Sequence, residues 1–235
     1  MPSSCPPAPD TGPAPAIQIS VLPAGTLLVR FHGPDHPGNS FNPYVGKDWK
    51  DATIGARFSP FPDQTGSTNV PALYAGDDFG ASALESVFHA VPHKKEERKF
   101  PAMQLAAFRY SEFEVKRDLE IFELVNSKLN QLPVPGRENS LTEGELIHTE
   151  TDQYPNTRTW ARFLYLQFPQ LKGFSWRPRL GGKGLAYVLF GADRCESSDL
   201  ILRYGPVEID HGPLLTDIRK TAESAQIKIV HGLTP

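Results

Sequence analysis

Apolar residues along this chain fall into short runs punctuated by proline and glycine. Two β-rich runs come first, Ile17–Leu22 and Thr26–His32, with a Pro-Ala-Gly turn between them. Residues 33–69 then break the pattern with repeated Pro and Gly and predict a long loop, a kind more often functional than idle in a small domain. Ala72–Ala75 reads as a short buried strand running into Asp77 and Asp78, either of which can cap a helix through about Val91. Leu84, Val87, Phe88 and Val91 give that helix an apolar stripe, and Pro92 stops it. Met103–Arg109 and Leu119–Leu124 read as strands, and residues 133–150 as a second polar loop. A helix from about Thr157 to Gln167 turns Trp160, Phe163 and Leu164 inward. Gly173–Arg177, Leu185–Phe190 and Val207–Ile209 follow as strands. Pro213 opens a last helix, with Leu214, Ile218, Ala222 and Ala225 inward, and Ile227–Val230 closes as a strand. Strands outnumber helices without regular βαβ alternation, and no internal repeat is visible. The fold class is α+β.

Composition narrows this picture. Residues 1–16 carry six prolines and almost nothing apolar beyond alanine, so they are expected to form a disordered tail, leaving residues 17–235 as a single domain. A net charge of −3 and a pI near 6.2 argue against direct nucleic-acid binding, which needs a basic face. The longest fully apolar run, Leu185–Phe190, is far too short to span a membrane, and no apolar stretch precedes Arg30 as a signal peptide requires. Cys5 and Cys195 form neither a CxxC pair nor a disulfide framework, which fits a cytoplasmic location.

Several suggestive motifs have ordinary readings. Gly181-Gly182-Lys183-Gly184 lacks the spacing of a phosphate loop and reads as a hairpin connection. The i, i+4 pairs His32/His36 and His89/His93 are each interrupted by proline, so no metal is expected. No G-x-S-x-G elbow supports a hydrolase triad. The informative set is Arg30 on a strand, Arg57 in Gly-Ala-Arg-Phe-Ser, Tyr74 in Ala-Leu-Tyr-Ala, and Glu85 on the next helix. Spacing alone favours an ordinary Arg57–Glu85 ion pair, with Tyr74 a core aromatic whose hydroxyl is bonded.

In order along the chain, Val29-Arg30-Phe31, Ala56-Arg57-Phe58-Ser59, Ala72-Leu73-Tyr74-Ala75-Gly76-Asp77 and Ala83-Leu84-Glu85-Ser86-Val87-Phe88-His89 resemble the RES-domain family. The resemblance continues through Gly173–Arg179 and Val188–Gly191, and so spans about residues 26–195. It implies a fold similar to ADP-ribosyltransferases, a split β-sheet core with flanking helices. It also implies a toxin of a toxin–antitoxin pair that consumes NAD+ as substrate, needs no metal and is held by an Xre-type helix-turn-helix antitoxin. Glu85 would then be the catalytic carboxylate and Arg30 and Arg57 the phosphate-binding forks. Tyr74 would pack on the nicotinamide or ribose, with Trp176 a second stacking candidate. ADP-ribose would pass to a protein docked on the long loops, or to water or phosphate. The chain departs from the family in a longer 59–70 segment and in Pro178, which stands where the family's serine is expected. Ser175 takes that role only if its side chain points into the pocket. The loss of the serine favours the rival reading, a non-enzymatic nucleotide-binding module.

Overall fold

One large mixed sheet forms the centre of this protein, and its strands over residues 173–176 and 186–190 are buried along their whole length. The computed structural model describes residues 4–9 and 14–231. The strands are β1 (Ser20–Leu22), β2 (Leu27–His32), β3 (Ala72–Gly76), β4 (Lys99–Pro101), β5 (Arg109–Val115), β6 (Leu119–Glu123), β7 (Gly173–Trp176), β8 (Ala186–Phe190), β9 (Leu200–Glu208) and β10 (Lys228–Val230). The helices are α1 (Phe79–Glu85), α2 (Asn126–Leu129), α3 (Glu143–Leu146), α4 (Tyr154–Gln167) and α5 (Gly212–Ser224). Eight strands lie in the order β1-β6-β7-β8-β3-β2-β5-β9, and β10 pairs with β4 in a separate ribbon. All neighbours in the large sheet are antiparallel except β6 and β7. The architecture is α+β, and no helix among the described residues is long and apolar enough to cross a membrane.

Side-chain alternation sends successive residues of a strand to different core regions. On β3, Ala72 and Tyr74 join a core that includes Phe58, Trp160, Phe174 and Trp176, whereas Leu73 and Ala75 join another with Leu28, Phe113 and Leu189. A third apolar cluster packs α1 and α5 against Val29, Phe31 and Tyr110.

The sheet is nearly divided between β2 and β3, which share one register pair, Val29 with Gly76. The chain leaving β2 folds back into the gap. Asn42 exchanges backbone hydrogen bonds with Ala72 (2.8 and 3.0 Å), occupying the edge of β3 that β2 has left. Gly76 is required at the β3–α1 turn, because a Cβ there would lie 2.5 Å from the Ser82 nitrogen. Asp78 then caps α1 by accepting from the Ala81 amide at 2.6 Å.

Several elements differ from the sequence pattern. The helix expected to run to Val91 stops at Glu85; Leu84, Val87, Phe88 and Val91 are buried all the same, the last three from turns that follow. The strand expected at Met103–Arg109 is instead a 3-10 helix over Ala102–Ala107 with Met103 exposed, and the strand lies one step later as β5. The loop at 133–150 contains α3, held by a capping box in which Thr142 and Glu145 bond each other's backbone. The Gly181–Gly184 segment lies in the β7–β8 connection, as the hairpin reading required.

Residues 4–9 correct the expectation of a disordered tail. Cys5 is 1% exposed and Ala8 is also buried, and the segment lies along α4. Trp160 Nε1 donates to the Pro6 carbonyl and Asn156 Nδ2 to the Cys5 carbonyl, while the Ala8 amide donates to Thr159 Oγ1, each at 2.8 Å. Proline removes donors from this segment, but its carbonyls remain as acceptors for polar side chains on the helix. The remainder of that expectation falls partly on residues 1–3 and 10–13, outside the described residues.

Candidate active site

A cavity of about 190 Å³ lies where β2 and β3 part. Arg30 and Phe31 line it from β2, Ala72 and Tyr74 from β3, Glu85 and Ser86 from the end of α1, and Trp176 from β7. Arg57, Asn42, Tyr44 and His89 complete the wall from loops. Arg30, Arg57, Tyr74 and Glu85, scattered over 56 positions of sequence, therefore meet in one place. A larger depression, about 620 Å³, lies on the far side of Tyr44 and is walled by residues 43–49 and 62–71. It holds none of these four.

Arg30 is 8% exposed and donates through one nitrogen, Nη1, to the carbonyls of Gly38 and Ser40. Burial pushes its pKa down to about 10. Arg57 is 3% exposed; Nη1 donates to Thr149 Oγ1 at 2.9 Å, and the guanidinium lies 5.3 Å from the Tyr154 ring centre. Among the described residues neither guanidinium has a carboxylate within ion-pair distance. The ordinary ion pair between Arg57 and Glu85 is therefore not formed. Two buried cations left without counter-charge are costly in the empty protein and favour an anionic ligand.

The loop that presents Arg57 is fixed from α4. Arg158, fully buried, donates to the carbonyls of Trp49, Asp51 and Ala56 at 2.8–3.0 Å and also to that of Ile54. The neighbouring Thr157 hydroxyl donates to the Arg57 carbonyl. One guanidinium thus gathers four backbone oxygens of a single loop.

Glu85 closes α1, where the carbonyl end of the helix disfavours a carboxylate. It is half-buried, and its Oε1 accepts from the Arg179 backbone amide at 3.2 Å. The Tyr74 hydroxyl accepts from the Phe58 amide at 3.1 Å and shares a 3.0 Å hydrogen bond with Ser59 Oγ, which in turn bonds Tyr44. Burial raises the Tyr74 pKa strongly, so the phenol stays neutral while its ring faces the cavity. The Trp176 ring stands edge-on to Tyr74 at 6.2 Å. His89 has its pKa lowered, chiefly by burial, against the opposing pull of Glu85.

Ser175 is not part of this arrangement. It is 2% exposed on β7, one residue before Trp176, and alternation turns it to the opposite face of the strand from the Trp176 side chain. It does not line the cavity, whereas Ser86, next to Glu85, does. Tyr44 and Arg158 carried no signal in the sequence, because long-range folding of a loop brings each to its partners. His89 was visible as half of an unsuitable metal pair and as the end of the Ala83–His89 motif, with no role attached to it.

No curated protein matches the chain. The RES domain profile matches residues 27–214, from the first residue of β2 into α5, and so takes in every wall of the cavity. A match across that much of the chain makes this protein a member of the RES domain family.

Proposed function

We propose that the protein cleaves the bond between nicotinamide and ribose in NAD+ and passes ADP-ribose to an acceptor, acting as the toxin of a toxin–antitoxin pair. Membership of a family associated with such NAD-acting toxins supports the reading. The observation that carries it is a single aromatic-walled cavity where one carboxylate, Glu85, meets two guanidiniums without counter-ions. Breaking the glycosidic bond builds positive charge on the ribose, as in glycoside cleavage, and a fixed carboxylate stabilises it. Nicotinamide leaves as a neutral molecule, so positioning and charge stabilisation suffice. Arg30 and Arg57 supply planar donors for phosphate oxygens, a geometry lysine does not reproduce. Tyr74 and Trp176 offer ring faces and edges to the flat nicotinamide. The opening of the sheet between β2 and β3, with the cavity in the gap, supports an ADP-ribosyltransferase-like core.

The acceptor is either a protein or a small molecule. The loops thought to dock a protein are partly committed inside the fold, through Asn42 on β3 and through α3, which favours water or phosphate. Incubating the purified protein with NAD+ should release free nicotinamide; no release overturns the enzymatic reading in favour of a nucleotide-binding module. Adding lysate and labelled NAD+ separates the acceptors, because only protein modification leaves a labelled band.

The proposed partner is an Xre-type helix-turn-helix antitoxin that occludes the cavity. A carboxylate on its blocking segment would imitate phosphate against Arg30 and Arg57.

A further inference from the structure

Resting on the NAD+ reading, we propose that His93, His148 and Arg179 form a second, anion-binding subsite at the cavity mouth that takes the outer, adenosine-side phosphate, while Arg30 and Arg57 hold the inner phosphate and the cavity takes the nicotinamide-ribose end. About 190 Å³ is below the ~300–1,000 Å³ of sites that enclose a drug-sized ligand, so most of a dinucleotide must lie outside. Two directions lead away from the cavity. The first, past Tyr44, enters the larger depression, where two carboxylates, Asp48 and Asp63, outnumber the one cation, Lys47. The second passes Arg57 and His89 and is cationic.

That second rim is continuous. Arg57 bonds Thr149, the residue after His148. The His148 and His93 rings lie 6.3 Å apart and within 30° of parallel. Arg179 Nη2 donates to the carbonyls of His89 (2.9 Å) and Val91 (2.7 Å), tying the strip that leads to His93. Both histidines are exposed, and neither they nor Arg57 and Arg179 have a carboxylate within ion-pair distance among the described residues. His148 has its pKa lowered mainly by desolvation and further by His93, Arg57 and Arg179, with Glu143 opposing. A bound diphosphate reverses that balance, so protonation of the rim and anion binding support each other.

The probe is ADP-ribose, which carries the diphosphate and requires no turnover. Wild type should bind it more tightly as pH falls from 7.5 to 5.5. The double variant His93→Ala/His148→Ala, which changes only exposed side chains, should lose that pH dependence and weaken binding about three- to tenfold. In turnover it should raise KM for NAD+ by a similar factor with kcat retained, and leave cleavage of nicotinamide riboside, which lacks phosphate, unchanged. His93→Lys/His148→Lys should bind ADP-ribose at both pH values with the strength the wild type reaches at pH 5.5. Unaltered ADP-ribose affinity in the alanine variant, or equal losses for nicotinamide riboside, overturns the subsite. Rim-dependent ADP-ribose binding by a wild type that releases no nicotinamide keeps the subsite and overturns only the proposed reaction.

Discussion

Glu85 is a carboxylate placed where its own helix disfavours it and held by one backbone amide. Replacing it with glutamine keeps the shape and removes the charge. Glu85→Gln should bind ADP-ribose normally yet release nicotinamide roughly 10²–10³ times more slowly, the usual cost of one positioned electrostatic group. Wild-type turnover in that variant would end the catalytic assignment. At Tyr74 the test is different, since its hydroxyl faces away from the ligand and into Phe58 and Ser59. Tyr74→Phe leaves a buried amide with one partner fewer and should cost about 1–3 kcal/mol in denaturant unfolding, with KM little changed. These residues were legible in the sequence because their types and order are distinctive. Ser175 does not meet its condition of pointing into the pocket, because on β7 it alternates with Trp176, the residue that lines the cavity.

At the level of elements, the N-terminal segment and α4 work as one unit. Composition predicted a tail that could be removed without consequence, yet three side chain–backbone hydrogen bonds and the buried Cys5 tie residues 4–9 to the helix. The same helix carries Thr157 and Arg158, which hold the Arg57 loop. Deleting residues 2–9 should remove about 3 kcal/mol and lower Tm by roughly 5–10 °C, read by calorimetry. An unchanged Tm would mean that the contacts are neutral. Strongly patterned elements were readable: β3, β8, α4 and α5 fall within a few residues of expectation. Of the edge strand β9 only the end was, as Val207–Ile209, because Ile201, Leu202 and Tyr204 before it are exposed and give no alternation to follow. β5 was displaced in sequence because the apolar Met103–Leu105 stretch mimics a strand start while forming a 3-10 turn.

Across the whole molecule, the lowered pKa values of His32 and His89 lead us to expect stability to fall on the acid side. His32 is 5% exposed; Nδ1 donates to the Gly33 carbonyl, so Nε2 accepts from the Ser111 hydroxyl, both at 2.8 Å. That arrangement suits the neutral ring, and burial lowers its pKa, as at His89. The unfolded chain therefore takes up protons near pH ~6.5 before the folded one does. Stability should be full above that pH and decline as pH falls through it towards the depressed folded values. His32→Gln, which offers both a donor and an acceptor, should flatten the decline between pH 7 and 5.5; an unchanged slope would place the titration elsewhere.

The pairing of β3 with β8 joins residues 110–118 positions apart, and from the same late region Trp176 lines the cavity and the Arg179 amide bonds Glu85. Arg30, Arg57, Tyr74 and Glu85 have all been translated before half the chain exists. At 5–20 residues per second they then wait on the order of ten seconds for their partners to leave the ribosome. Under the proposed NAD+ reading, order of synthesis becomes a safeguard: a nascent or prematurely terminated chain that ends before Ala186 lacks the strand on which β3 is built and should not cleave NAD+.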